Sequence, residues 1–142
     1  MQLNGIFSNT VNLLGQSIDL RAKKQNLIVS NIANAETPNF IPKSLAFEQE
    51  LQGALKNGQS GQRPSSLPHP RHIPIRGGGS SLQSVSGQVI ETPAKTPGKD
   101  GNAVELEDEM GRMAENQIMF NASVQLLSKQ FADLRTAIKG GL

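Results

Sequence analysis

The chain has 142 residues, enough for one domain, but only 36% are hydrophobic and 4% aromatic, and it contains no Trp, Tyr or Cys. This composition predicts an elongated or assembly-dependent fold rather than a large compact core, and it excludes disulfide bonds and thiolate metal sites. Residues 1–99 hold ten basic and five acidic side chains, and residues 100–142 hold four and seven, so the net charge of +2 divides into +5 and −3. Opposed blocks favour contacts within the molecule or between copies over a nucleic-acid footprint.

The first predicted element is an amphipathic helix over residues 3–35. Its apolar seam repeats at alternating spacings of four and three residues, with Arg21 and Gln25 as polar interruptions. The seam consists of Phe7, Val11, Leu14, Ile18, Ile28 and Ile32. A second apolar line, about 100° away around the helix, consists of Ile6, Leu13, Leu20 and Leu27. Because one partner helix cannot cover both lines, we expect neighbouring copies to cover the second.

The helix is predicted to end before Thr37-Pro38, since proline lacks a backbone donor and pushes the preceding residue out of helical space. Asn34 and Asn39 follow the apolar seam closely. Asparagine tolerates the left-handed conformation that turns a chain out of a helix. We therefore expect a sharp junction here, followed by an extended segment over residues 36–51.

Residues 52–100 contain more than half of the 14 glycines and six of the eight prolines. Such a composition predicts an extended, loosely ordered linker without a long helix. His72–Ile75 and Gln88–Ile90 are short apolar pieces that could form brief strands.

The second long helix is predicted within residues 101–142, from about Ala103 to Lys139. Asn102 and Glu105 suit a capping box at its start, and the acidic residues 107–109 suit the positive end of a helix. Its coiled-coil seam consists of Leu106, Met110, Met113, Gln117, Phe120, Val124, Leu127, Phe131, Leu134 and Ile138. Both helices reach about 50 Å. The predicted fold is therefore mainly α, with the N- and C-terminal helices paired in one domain.

Sites for chemistry are sparse in this sequence. His69 and His72 have metal-ligand spacing, but no third ligand cluster accompanies them. The basic linker lacks the interleaved aromatic residues that stack on bases, so we expect no nucleic-acid partner. An enzyme needs a converging set of nucleophile, base or ligands. We therefore predict no catalytic residues, no metal site and no cofactor.

Polar residues in the two seams suggest how the register of the helix pair is fixed. Gln117 interrupts the second seam as Arg21 and Gln25 interrupt the first. Facing polar residues would fix the register of the pair. The alternative is that Gln117 simply lies at the rim of a wide interface.

Residues 30–40 read Ser-Asn-Ile-Ala-Asn-Ala-Glu-Thr-Pro-Asn-Phe. This sequence resembles the signature S/A-N-I-A-N-x-x-T-P-G-Y of the axial proteins of the bacterial flagellum, with Asn39 in place of glycine and Phe40 in place of tyrosine. The residues that carry the resemblance, and that we expect to serve assembly, are Asn31, Ile32, Ala33, Asn34, Thr37, Pro38, Asn39 and Phe40. Residues 100–110 with Ala114-Glu115-Asn116 resemble the D-G-N-x-V-x-x-E-x-E-M … A-E-N pattern of a proximal-rod member of this family.

The resemblance implies a non-enzymatic subunit of the proximal rod, which surrounds the export channel and transmits torque to the hook and filament. Export through the flagellar type III apparatus would fit a chain without a membrane span or a recognisable signal peptide. The implied partners are further copies, rod proteins of the FlgC, FlgF and FlgG type, and the FliE adapter with the MS ring and export gate at the rod base. The implied location is the periplasmic part of the basal body, close to peptidoglycan.

Two other functions fit the same pattern. A different proximal-rod member, of the FlgC type, shares the N-terminal signature but typically lacks the Asp-Gly-Asn start of the second helix. A free-standing coiled-coil adaptor or chaperone would use both helices without the asparagine-rich motif. Loss of hooks and filaments on gene deletion would separate a rod subunit from an adaptor.

Overall fold

The computed structural model describes residues 9–59, 82–94 and 97–140. Two long helices dominate it, α1 over Asn9–Ala33 and α3 over Leu106–Lys139. Between them lie strand β1, helix α2, a 3-10 turn and strand β2. These elements span Lys43–Ala46, Glu48–Gln59, Leu82–Ser84 and Gln88–Glu91. The prediction of a mainly α fold with two long terminal helices is confirmed.

Helices α1 and α3 pack against each other as an antiparallel pair. Asn31 near the end of α1 contacts Glu109 near the start of α3, while Arg21 and Gln25 farther back contact Asn116 farther on. Gly140 ends α3 in the left-handed conformation with φ 76°, and its N–H donates to the carbonyl of Ala137. The predicted glycine stop is thus confirmed.

A small second layer covers one side of α1. Strands β1 and β2 pair antiparallel, with Lys43 opposite Glu91 and Ala46 opposite Gln88. A hydrophobic core forms between this strand pair, the 3-10 turn before β2, α2 and α1. The core consists of Leu20, Leu45, Phe47, Ala54 and Val85, with Leu27, Leu51 and Leu82 packed against it.

This layer corrects one expectation from the sequence. Leu20, in the second apolar line of α1, is 0% exposed, and Leu27 is partly buried beside it. Residues of the same chain cover these two positions, so neighbouring copies are not needed for them. The expectation was wrong because β1 and α2 are short, and their apolar residues are too few to show a clear periodicity.

The region between the helices also differs from the expected extended chain. Gln88–Glu91 forms a strand, in agreement with the predicted apolar piece there. Helix α2 instead occupies Glu48–Gln59, where Glu48 and Glu50 suit its first turn and Lys56 its last. His69, His72 and the predicted piece His72–Ile75 lie outside the described residues.

The predicted capping box at Asn102 is wrong. Helix α3 begins at Leu106, and Glu105 is its N-cap residue with extended backbone angles. The Asn102 side chain is buried and bonds to the junction after α1. A capping pattern in a sequence cannot tell a local partner from a distant one that competes for the same amide.

Candidate assembly junction

Asn31 links three elements at the end of α1. Its side chain is 1% exposed. Its Nδ2 donates to the carbonyl of Lys43 at 2.8 Å, and its Oδ1 accepts from the N–H of Lys43 at 2.9 Å. The same Nδ2 donates to Oε2 of Glu109 in α3 at 2.9 Å. One carboxamide therefore satisfies both backbone groups of a strand residue and a carboxylate of the partner helix.

Glu109 is the buried charge of this junction, with only 2% of its side chain exposed. Arg112, one turn farther along α3, pairs with its Oε1, and Asn31 holds its Oε2. A buried carboxylate persists only where charge and hydrogen bonds replace the lost water. Both oxygens of Glu109 have such a partner. The acidic residues at the start of α3 suit the positive end of the helix, and Glu109 in addition forms specific contacts with Asn31 and Arg112.

Asn102 closes the turn that follows α1. Its Nδ2 donates to the carbonyls of Asn34 at 2.9 Å and Thr37 at 2.7 Å, and its Oδ1 accepts from the N–H of Val104 at 2.7 Å. Asn34 in turn caps the helix end, donating from Nδ2 to the carbonyl of Ser30 at 2.8 Å. Carbonyls of the turn that follows α1 therefore bond to the segment that leads into α3.

Asn39 has φ 59°, in the left-handed region. Glycine adopts this conformation readily, and asparagine is among the few other residues that tolerate it. Its N–H donates to the carbonyl of Asp100 at 3.2 Å. Gly101 has φ 76°, and a Cβ placed on it would clash with Oδ1 of Asn39. The left-handed backbone therefore favours glycine at position 101, and any larger residue would also force the exposed Asn39 side chain to turn away.

The remaining motif residues surround these contacts. The N–H of Phe40 donates to the carbonyl of Thr37 at 3.3 Å, and the carbonyl of Phe40 accepts from the N–H of Ala103 at 3.0 Å. Phe40 and Ile32 are half-buried, whereas Ala33, Thr37 and Pro38 are exposed. Phe40 thus joins the junction through its backbone N–H and carbonyl.

A charged cluster lies along α1 one heptad before Asn31. Lys24 forms an ion pair with Glu48 at 2.9 Å, and Arg21 and Lys24 each lie 5.6 Å from the centre of the Phe47 ring. Partial burial raises the pKa of Glu48, but hydrogen bonds from Lys24 and from backbone N–H groups outweigh it. The pKa of Glu48 therefore lies below its ordinary value. The cluster ties the start of α2 to α1.

The predicted seam of α3 divides into two sets. Three residues one heptad apart, Met113, Phe120 and Leu127, are half-buried. The exposed set consists of Leu106, Met110, Gln117, Val124, Phe131, Leu134 and Ile138. On α1, Ile28 is buried, Val11, Leu14, Ile18 and Ile32 are half-buried, and Phe7 lies outside the described residues.

The buried line of α3 is polar, which sequence reasoning missed. Glu109, Asn116 and Ser123 are its buried residues, spaced seven apart. Asn116 donates to the carbonyl of Arg21 at 3.0 Å and to Oε1 of Gln25 at 2.9 Å. The polar positions of α1 thus meet Asn116, whereas Gln117 is exposed and donates to Asn121. The heptad spacing of the polar residues was a visible signal, but it resembles an ordinary solvated face.

The contacts described above hold elements of one chain together. Within the described ranges, no cluster of His, Asp and Glu has the composition of a metal site. No helix among those residues has both the length and the apolarity that a membrane span requires. What the junction can do is lock two long helices and a strand in one register, leaving an apolar line of α3 exposed.

Comparison with known proteins gives a consistent picture. No protein-family model matches the chain. It is 34% identical over 134 residues to the flagellar basal body rod protein FlgB of Cereibacter sphaeroides, covering 94% of the chain and 97% of the relative. It is 30% identical over 135 residues to FlgB of Proteus mirabilis, with 94% and 96% covered. FlgB of Salmonella typhimurium is 27% identical over 131 residues, with 89% and 90% covered.

The locked helix pair and its exposed apolar line define a mainly α structural protein. Relatives that align with nearly the whole chain at 30% identity or above identify its family. The chain belongs to the FlgB family of flagellar basal body rod proteins.

Proposed function

We propose that the chain is a structural subunit of the proximal rod, packing through its terminal helices around the export channel and transmitting torque from the motor. The observation that carries this proposal is the exposed seam of α3. Met110, Val124 and Ile138 are exposed, and Ile138 is 84% accessible. A line of apolar residues along a helix of 34 residues suits burial by neighbouring helices.

The junction suits a subunit that transmits force. Torque applied to one helix must pass to the other without slippage, and paired hydrogen bonds resist slippage because each has one geometry. Asn31 and Asn116 fix the pair at two levels. We propose that the motif residues at 31–34 and 37–40 fix the direction in which the chain leaves α1 toward the layer formed by β1, α2 and β2.

The partners follow from this proposal. They are further copies of the chain, rod proteins of the FlgC, FlgF and FlgG type, and the FliE adapter, with the MS ring and export gate at the base. The subunit would cross the inner membrane through the flagellar type III apparatus without a cleaved signal and assemble in the periplasm near peptidoglycan. Opposite net charges of the two sequence blocks support lateral contacts between subunits.

Deletion of the gene, followed by complementation, tests the proposal. We expect cells without the protein to lack hooks, filaments and motility while retaining the MS ring and export apparatus, and the wild-type chain to restore all three. Isolated basal bodies should contain the chain by immunoblot. Normal flagella in the deletion strain would contradict the proposal and favour an adaptor or chaperone.

A further inference from the structure

Strand β2 has one edge that faces away from β1. The N–H of Thr92, just after the strand, donates to the carbonyl of Pro42. Residues of an antiparallel pair bond to the partner strand and point away from it in turn, so the backbone groups of Val89 and Glu91 point away from β1. Among the described residues, no hydrogen bond reaches the N–H or carbonyl of either residue. These four groups form the outer edge of β2.

The outer edge of β1 is covered, in contrast to that of β2. Lys43 faces outward on β1, and the Asn31 side chain bonds to both its N–H and its carbonyl. All four residues of β2 are exposed, including Val89 at 55% and Ile90 at 40%. Proteins commonly protect edge strands with lysine, proline or a bulge. Residues 88–91 contain no lysine or proline and pair with β1 in an unbroken register, so the edge lacks these protections.

We infer that β2 pairs antiparallel with β2 of a second copy about a twofold axis at Ile90, in the chain that has not yet entered the rod. In this register Val89 of one copy lies opposite Glu91 of the other, so all four outer backbone groups of each strand are bonded. Two small sheets join into one of four strands. The inference goes beyond the rod function, because a twofold contact closes on itself and does not extend a rod.

The residues around the strand favour this register over its neighbours. A shift that sets Glu91 opposite its own copy places two carboxylates side by side and pairs Val89 with Pro93, which has no N–H. The opposite shift pairs Glu91 with Gly87, whose N–H already donates to a carboxylate of α2 at 3.2 Å. Only the register centred on Ile90 uses every outer group of residues 89 and 91.

The side chains also suit pairing with a second copy. Ile90 meets its own copy in a non-hydrogen-bonded pair, where the Cβ atoms are about 4.5–5.5 Å apart and apolar side chains contact each other. Gln88 lies opposite Thr92 of the second copy, an uncharged polar pair. No like charges face each other in this arrangement. Since the contact is small, we expect a dimer that forms at high concentration and dissociates on dilution.

Single cysteines in the purified full-length chain test the register. The chain has no cysteine of its own. Ile90→Cys should form an intermolecular disulfide on mild oxidation, because the two residues face each other within reach of a disulfide. In the same register the two copies of residue 89 are about 8 Å apart between Cα atoms, too far for a disulfide. We therefore expect Val89→Cys to form the disulfide at least about 10-fold more slowly, as for a loss of 1.4 kcal/mol or more.

This comparison separates pairing from random collision. Val89 is more exposed than Ile90, so collisions alone would favour the disulfide of Val89→Cys. Equal rates for the two variants, or a faster reaction of Val89→Cys, would overturn the inference. Neither result bears on the rod function, which gene deletion tests separately.

Sedimentation equilibrium of cysteine-free chains measures the association itself. Val89→Pro removes an outer N–H and leaves the bonds to β1 in place, so it should raise the dimer dissociation constant about 10-fold or more. Val89→Thr keeps the N–H and should change it less than about 3-fold. Val124→Ser, in the exposed seam of α3, should leave it unchanged. Circular dichroism checks that each variant is folded.

Two results would contradict the dimer. One is a wild-type chain that stays monomeric throughout the sedimentation experiment, and the other is a folded Val89→Pro variant that associates as strongly as the wild type. Should Val89→Pro fail to fold, the rates of the two cysteine variants still decide the outcome.

Discussion

The junction after α1 and the exposed seam of α3 differ in where their side chains find partners. At the junction, buried polar groups of Asn31, Asn102 and Glu109 find partners within one chain. Along the seam, Met110 and Val124 stay exposed in the single chain. The comparison teaches that one subunit completes its polar contacts by folding and keeps apolar surface for association. Full burial of an exposed side chain of this size contributes roughly 1.5–3 kcal/mol, and since Met110 and Val124 are already about half covered, association adds about half of that for each.

The largest expected effect on the folded monomer comes from Asn31→Ala. The substitution leaves the N–H and carbonyl of Lys43 and one oxygen of Glu109 without their partner. We expect the free energy of unfolding to fall by about 3 kcal/mol, since buried unsatisfied groups cost about 1–3 kcal/mol each. Urea unfolding followed by circular dichroism measures it. Asn26→Ala, at an exposed position of the same helix, should change stability by less than about 0.5 kcal/mol.

Gly101→Ala should have the next largest effect. Its Cβ would clash with Asn39 Oδ1, and alanine disfavours φ 76°. We expect a loss of about 2 kcal/mol in the same unfolding experiment. Asn39→Gly in the same chain removes the clashing oxygen and should recover part of the loss. Gly111→Ala is the control of opposite sign, because a Cβ there meets nothing within 4 Å and helical alanine stabilises. Equal effects at positions 101 and 111 would rule out the contact.

A smaller effect is expected from acid. Because the pKa of Glu48 is lowered in the folded chain, its contribution to stability is present above the ordinary value of 4.5 and is lost as pH falls through the lower, folded value. Glu48→Gln should therefore lower the urea midpoint slightly at neutral pH, and the difference should vanish in acid. Urea titrations of both proteins across this pH range measure it. A constant difference at every pH would contradict the ion pair with Lys24.

The smallest effect on monomer stability is expected at the exposed seam. Val124→Ser and Ile138→Ser should each change the free energy of unfolding by less than about 0.5 kcal/mol, since neither side chain is deeply buried. The pair together should nevertheless reduce the amount of chain recovered in basal bodies. Asn31→Ala should instead act mainly by lowering the free energy of unfolding of the monomer. If Val124→Ser and Ile138→Ser destabilise the monomer as strongly as Asn31→Ala, the contrast between the two regions fails.

Much of this fold could be predicted from apolar spacing and helix-stopping residues. The end of α1 before Pro38 and the end of α3 at Gly140 follow from local backbone chemistry, which a sequence shows directly. Asn31 was also singled out, through a family signature rather than through its contacts. Its partners Lys43 and Glu109 could not be found, because hydrogen bonds across 12 and 78 residues leave no local pattern.

The burial of polar residues was also not predicted from the sequence. Glu109, Asn116 and Ser123 face α1 although their sequence pattern is typical of a solvated face. Asn102 was assigned to a cap that it does not make. A polar side chain can be buried wherever its partners are present, and those partners are set by tertiary structure.

Amide hydrogen exchange of the purified chain tests the contrast between junction and seam most directly. The N–H groups of Lys43, Thr92 and Ala103 all donate within the junction and its adjoining strand pair. We expect them to be strongly protected in the monomer, while amides over residues 131–139 exchange fast and gain protection only in assembled rods. Junction amides that exchange as fast as the end of α3 in the monomer would contradict the account.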